Sequence, residues 1–186
     1  PNKMDGSIMS NKRNILLIIT GSIAAYKSLE LIRLLKQAGN NVTCVLTKSA
    51  KEFITPLSAA ALSQSPVYDE LFCLKDESEM GHIRLSREHD LVVVAPASAN
   101  ILAKMSHGMA DDLASNILLA SNKPILVAPA MNHHMWNHKA VQRNITTLKS
   151  DNVTIIHPEQ GTLACGENGI GKMADPNTIA QTIQSF

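Results

Sequence analysis

At 186 residues, 45% apolar and 18% charged, the chain has a one-domain length and an ordinary globular composition, enough to bury one core. A formal net charge of +1 and 3% aromatic residues exclude an electrostatic or base-stacking case for nucleic acid, and no apolar run approaches the ~20 residues of a membrane span. Three cysteines, Cys44, Cys73 and Cys165, are an odd set without framework spacing, which predicts free thiols in a reducing, cytoplasmic setting.

Residues 1–10 are polar, lack the apolar core of a signal peptide and do not begin with Met. They read as a remnant or disordered tail ahead of the natural start and are left out of fold reasoning. Residues 14–20 (NILLIIT) form a strand-like apolar run. Residues 23–37 then place Ile23, Tyr26, Leu29, Ile32 or Arg33, and Leu34 at helical spacing, with Gly39 as the residue just past the helix. Residues 42–47 (VTCVLT) are a second strand. Residues 51–63 read as a helix interrupted or restarted near Pro56. Residues 67–78 suggest a short edge strand and a loop, and residues 90–95 (DLVVVA) a third core strand. Two helical pieces, 99–107 and 111–120, are broken at Gly108. Residues 124–128 are a fourth strand, 138–150 a helix, 153–156 a fifth strand, and 176–186 a last helix with Pro176 in its first turn. Strands alternating with helices, in near-continuous apolar runs, predict an α/β fold: one doubly wound domain, Rossmann-like or flavodoxin-like, with a parallel sheet covered on both faces.

In such a sheet ligands bind beyond the carboxyl ends of the strands, so the segments there carry the functional information. Gly21 and Ser22 open a strand-to-helix turn that exposes backbone N–H groups, a ready anion site or a simple tight turn. The further glycines of a dinucleotide fingerprint are absent, as is a P-loop. Thr47, Lys48 and Ser49 follow strand two, where Ser49 could cap a helix. Pro96 to Asn100 (PASAN) follow strand three, with small residues that admit a ring and with Ser98 or Asn100 able to hydrogen-bond it. Pro129 to Trp136 (PAMNHHMW) follow strand four and hold the chain's single Trp. Asn132 there can offer an acceptor and two donors to a carboxylate or amide. Ala164 to Met173 (ACGENGIGKM) carry three glycines and an accessible Cys165. Cys44, mid-strand, belongs to the core. His82 stands alone before strand three, where a structural and a catalytic role are both open. His133, His134 and His138 invite a metal reading, with His134 and His138 able to share a helix face, but no HExxH motif or Cys pair accompanies them.

Together these segments resemble the flavin-dependent cysteine decarboxylases, over about residues 14–176 and most closely the branch of coenzyme A biosynthesis. Pro129 to Trp136 fit the family's PxMNxxMW motif at every fixed position, and Pro96 to Asn100 fit five residues of its PASANT motif, with Ile101 in place of the final Thr. Residues 160–175 resemble its substrate-clamp loop. The resemblance implies an FMN site: Gly21, Ser22 and Ile23 near the phosphate, Thr47, Lys48 and Ser49 beside them, and Ser98, Ala99, Asn100, Ile101 and Ala130 along the cofactor. It implies His82 as catalytic base, Asn132 with Met131 as substrate-binding residues, Asn132 for the carboxylate, and Cys165 as the clamp thiol that donates a proton. Met131, Met135 and Trp136 would pack to fix their loop.

The implied reaction is decarboxylation of 4'-phosphopantothenoylcysteine to 4'-phosphopantetheine. Transient oxidation to a thioaldehyde makes loss of carbon dioxide possible, and re-reduction of the enethiolate completes it. The resemblance also implies a homotrimer, or a dodecamer of trimers, and a synthetase domain fused after this one in many bacterial members. No metal is implied. Relatives that stop at the enethiol, acting on peptidyl cysteine, lack the clamp cysteine, so Cys165 favours the coenzyme A branch. Flavin prenyltransferases, a non-catalytic FMN-binding regulatory subunit and an FMN electron carrier share parts of the pattern. The prenyltransferases need neither PxMNxxMW nor a clamp cysteine, the regulatory subunits typically carry long acidic or low-complexity extensions not seen in these 186 residues, and an electron carrier would not explain Asn132 beside a Cys loop.

Overall fold

Five consecutive residues of the central strand, Ile15 to Ile19, have no exposed surface, which fixes the architecture around them. A computed structural model describes residues 12–70 and 81–186. Residues 1–10, Cys73, the far part of the expected 67–78 segment and the side chain of His82 lie outside the described residues. Strand β1 (Asn14–Ile19) pairs in parallel with β2 (Asn41–Leu46) and with β4 (Leu91–Ala97). The edges are β3 (Val67–Tyr68) beside β2, and β5 (Ile125–Pro129) followed by β6 (Thr154–Ile155) beside β4. The order β3-β2-β1-β4-β5-β6 is the Rossmann order rather than the flavodoxin one. The direction in which strands are added therefore reverses between β1 and β4, and a crevice opens at their carboxyl ends.

Alternation along β1 divides the core into two layers. Ile15, Leu17 and Ile19 face α1 (Ala25–Gln37), α2 (Pro56–Ser63) and α8 (Pro176–Gln184). Leu16 and Ile18 share the opposite cluster with α3 (Gly81–Arg87), α4 (Ala99–Ser106), α5 (Leu113–Ala120) and α7 (Lys139–Ser150). Each fully buried Leu or Ile contributes roughly 1.5–3 kcal/mol of burial.

The buried face of α1 is not the expected one. Ala25, Ser28, Leu31, Ile32 and Leu35 point inward, whereas Ile23 and Tyr26 are each 59% exposed. Small residues decide this: Ala25 and Ser28 let the helix approach the sheet, and Ser28 Oγ donates to the Ala95 carbonyl at 2.8 Å. Gly39 does follow the helix, at φ +87°. The interruption near Pro56 is a 3-10 turn, Ala50–Glu52, followed by α2 with Thr55 as its N-cap and Pro56 in the first turn.

Three elements depart from the expected string. Helix α3 occupies a stretch between the expected 67–78 segment and strand three for which the sequence predicts no element. Residues 133–137 form a short helix, α6 (His133–Asn137), so PAMNHHMW is a strand end and a helix start rather than an open loop. The expected clamp loop is an antiparallel hairpin, β7 (Glu159–Thr162) and β8 (Asn168–Lys172), with Cys165 in its turn.

Candidate active site

The carboxyl ends of the strands are tied into a continuous edge. Thr20 Oγ1 donates to the Pro96 carbonyl at 2.6 Å and accepts from Ser98 N at 2.9 Å, bridging the switch between β1 and β4. Ala130 N donates to the Ala97 carbonyl at 3.1 Å, and Met131 N to the Gly171 carbonyl at 3.0 Å. The hairpin is thus joined to the sheet through the PAMN segment. On the other flank Gly21 lies against Ser49 so closely that a Cβ on Gly21 would collide with the serine. Thr20 escaped the sequence reading because an apolar run ending in Thr shows only a strand end.

One part of this edge is shaped for an anion. Among the described residues, the backbone N–H groups of Gly21, Ser22, Ile23, Lys48 and Ser49 donate to no carbonyl or side chain. Thr47 Oγ1 accepts from Ala50 N, and Ser98 Oγ accepts from Ile101 N as the N-cap of α4. Ala99 is half-buried and Asn100 exposed. The Ile101 side chain is 2% exposed and packs in the second core layer, so only its backbone can face the edge. The Thr hydroxyl of the family motif therefore has no side-chain counterpart here.

A cavity of about 460 Å3 opens beside this edge, walled by the start of α1, the PAMN segment and the hairpin. It brings together Ser22, Ile23, Ala130, Met131, Asn132 and Cys165. The other expected cofactor residues, Gly21, Thr47, Lys48, Ser49, Ser98, Ala99, Asn100 and Ile101, lie outside its lining. Asn132 is the N-cap of α6, and its Oδ1 accepts from Met135 N at 2.8 Å. Its Nδ2 donates to nothing among the described residues, which leaves two N–H groups for a ligand oxygen. Met131 is half-buried against the second core layer and Trp136 is 6% exposed, so both anchor the segment. Met135, expected to pack with them, is 47% exposed.

The hairpin is seated by glycines and by His133. A Cβ on Gly171 would strike the Met131 carbonyl, and one on Gly169 would strike the His133 ring. His133 Nδ1 accepts from Ile170 N at 3.1 Å. His138 is not on the helix of His134: it caps α7, its Nδ1 accepting from Ala140 N at 3.1 Å. Cys165 is exposed, and its thiol donates to Glu167 Oε2 at 3.6 Å. Glu167 Oε1 in turn lies 3.8 Å from His134 Nε2. Cys44 is the chemical opposite, since burial pushes its thiol up to about 12.

Two cations unmarked by the sequence reading also line the cavity, Lys27 from α1 and Lys172 from β8. Burial, and then repulsion by Lys172, hold the Lys27 ammonium below the usual lysine value. They come from elements far apart in sequence, so no local pattern places them in one cavity.

A model of the Flavoprotein family matches residues 5–186. The chain belongs to the Flavoprotein family. Among curated flavoprotein relatives, it is 45% identical over 176 residues to the coenzyme A biosynthesis bifunctional protein CoaBC of Haemophilus influenzae, covering 95% of this chain. This chain spans 44% of the length of that relative. Among solved structures it is similar to a PPC decarboxylase mutant complexed with pantothenoylaminoethenethiol, with TM-score 0.86 and 35% identity over 94% of this chain and 98% of that one. It is also similar to the FMN binding protein AtHal3, with TM-score 0.84 and 36% identity over 94% and 96% of the two chains.

Proposed function

We propose that this chain decarboxylates 4'-phosphopantothenoylcysteine to 4'-phosphopantetheine with the help of FMN, a step of coenzyme A biosynthesis. One observation carries the reading: an amide whose nitrogen has no partner among the described residues, Asn132, and an exposed thiol, Cys165, line the same cavity. The relatives support it, being a CoaBC protein, a PPC decarboxylase and an FMN binding protein. The residues present fit the cofactor. The unpaired N–H groups about Gly21 and Ser49 suit a phosphate, and half-buried Ala99 with buried Ala130 let a planar ring approach.

Bound FMN supplies a reversible hydride acceptor, so that the cysteinyl carbon can be oxidised before carbon dioxide leaves and reduced afterwards. Asn132 Nδ2 holds the departing carboxylate. A neutral amide orients that group without a counter-charge that would stabilise it against loss. Cys165 holds the proton that saturates the enethiolate carbon, and Glu167 aims its thiol. Leu163 and Met173 supply apolar wall to the cavity. His82, at the start of α3, is the base that manages the substrate thiol proton, and that assignment rests on the resemblance alone. The reading includes a cytoplasmic homotrimer, or a dodecamer of trimers, with exposed Ile23, Tyr26 and Met135 among the side chains left for contacts.

Incubation of the FMN-loaded protein with 4'-phosphopantothenoylcysteine, followed by product mass, tests the reading. The expected product has lost one carbon dioxide and no hydrogen. An enethiol two hydrogens lighter would show that the reaction stops at oxidative decarboxylation and would overturn the re-reduction step. Failure to take up FMN or to release carbon dioxide would overturn the proposal.

A further inference from the structure

The cavity divides the candidate residues into two groups, and the division has chemical content. The unpaired backbone N–H groups about Gly21 and Ser49 lie mostly outside it, whereas Asn132 and Cys165 line it together with Lys27 and Lys172. Among the described residues neither lysine forms an ion pair within 4.0 Å, although Lys51 and Lys104 do. The carboxylates that act on Lys27, Glu159 and Asp175, each also accept a backbone hydrogen bond: Glu159 Oε1 from Asp175 N at 2.9 Å, and Asp175 Oδ1 from Asn177 N at 2.8 Å. The two ammonium groups, Lys27 half-buried and Lys172 exposed, line one cavity and repel each other, and one dianion between them would relieve both.

We infer that Lys27 and Lys172 form the phosphate end of the substrate site, gripping the terminal phosphate monoester while Asn132 holds the carboxylate. The inference rests on the proposed function and names how that site selects its substrate. Both lysines share one cavity with Asn132 and Cys165. The β-alanine and pantoyl units between cysteine and phosphate have the reach of three to four extended residues, about 10–14 Å. Ile23, Ala24, Tyr26 and Leu163 supply apolar wall for this arm, and Thr162 a hydroxyl. A peptide ending in cysteine has no phosphate to place between the lysines, so the pair separates the two substrate classes at the end remote from the chemistry.

The cofactor also carries a phosphate monoester, and the test must tell the two apart. The measurement is the ratio of kcat/KM for 4'-phosphopantothenoylcysteine to that for pantothenoylcysteine, in the FMN-loaded protein and in Lys27→Gln, Lys172→Gln and the corresponding Arg variants. The unaltered protein should favour the phosphorylated substrate. Each Gln variant should lower the ratio about tenfold, the worth of one charge-assisted hydrogen bond, and each Arg variant should restore most of it. In the unaltered protein, 4'-phosphopantothenate should compete more tightly than pantothenate. A ratio near one in the unaltered protein, or one unchanged in both Gln variants, would overturn the inference. So would Gln variants that lose FMN yet keep riboflavin, since the phosphate gripped would then be the cofactor's. If the unaltered protein consumes neither substrate, the proposed function itself falls.

Discussion

On the proposed reading, Asn132 does two jobs with the two ends of one amide. Its oxygen caps α6 through Met135 N, its nitrogen has no partner among the described residues, and the residue lines the cavity. Most substitutions would damage both, but Asn132→Asp separates them. Asp caps helices as well as Asn does, so the thermal midpoint should stay within a degree or two. The new carboxylate would face the substrate's own, and like charges at close quarters cost several kcal/mol. A ~30- to 1,000-fold fall in kcat/KM is expected from steady-state assay; retained turnover would remove Asn132 from carboxylate binding.

At the next scale the hairpin is the element on which the site depends. Its two strands hold few apolar side chains, Glu159–Thr162 and Asn168–Lys172 being polar or glycine apart from Ile170. It therefore gains little from burial and is held by backbone contacts with the PAMN segment. Gly171→Ala pushes a methyl into the Met131 carbonyl, an overpacking worth about 1–3 kcal/mol. Hydrogen exchange should quicken across residues 159–172 while β1 and β4 stay protected, and turnover should fall as Cys165 loses its position; unchanged exchange in the hairpin would refute this seating. The same facts explain what the sequence hides. Strands β1, β2 and β4 announce themselves because both faces are buried and most positions are apolar. The hairpin has no such alternation, α6 is too short to display a helical period, and the segment around α3 is mostly polar. Asn132 and Cys165 were legible because they follow apolar runs in family-like order, whereas Lys27 and Lys172 come together only through tertiary docking.

Across the whole molecule, stability and site share the same edge of the sheet. Lys104 of α4 meets Asp111 and Asp112 at the start of α5, each at 2.7 Å. The hydrogen bond from Lys104 holds Asp111 below its ordinary value. For Asp112 burial works the other way, but hydrogen bonds from Lys104 and Ser115 outweigh it. Carboxyls depressed in the folded state stabilise it above their unfolded pKa, and that contribution is lost as pH falls through the folded value. Between about pH 5 and pH 3 the thermal midpoint should therefore drop more steeply for the native chain than for Lys104→Met; parallel curves would show the cluster to be without weight. One further property follows from how the PAMN segment is anchored. Trp136 is the single tryptophan, its backbone N–H donates to the Asn132 carbonyl at 3.0 Å, and its ring meets His157 edge-on at 6.3 Å. All indole fluorescence of the molecule therefore originates one helical turn from the Asn132 amide, and on the proposed reading the native chain carries an optical reporter of ligand arrival without any label.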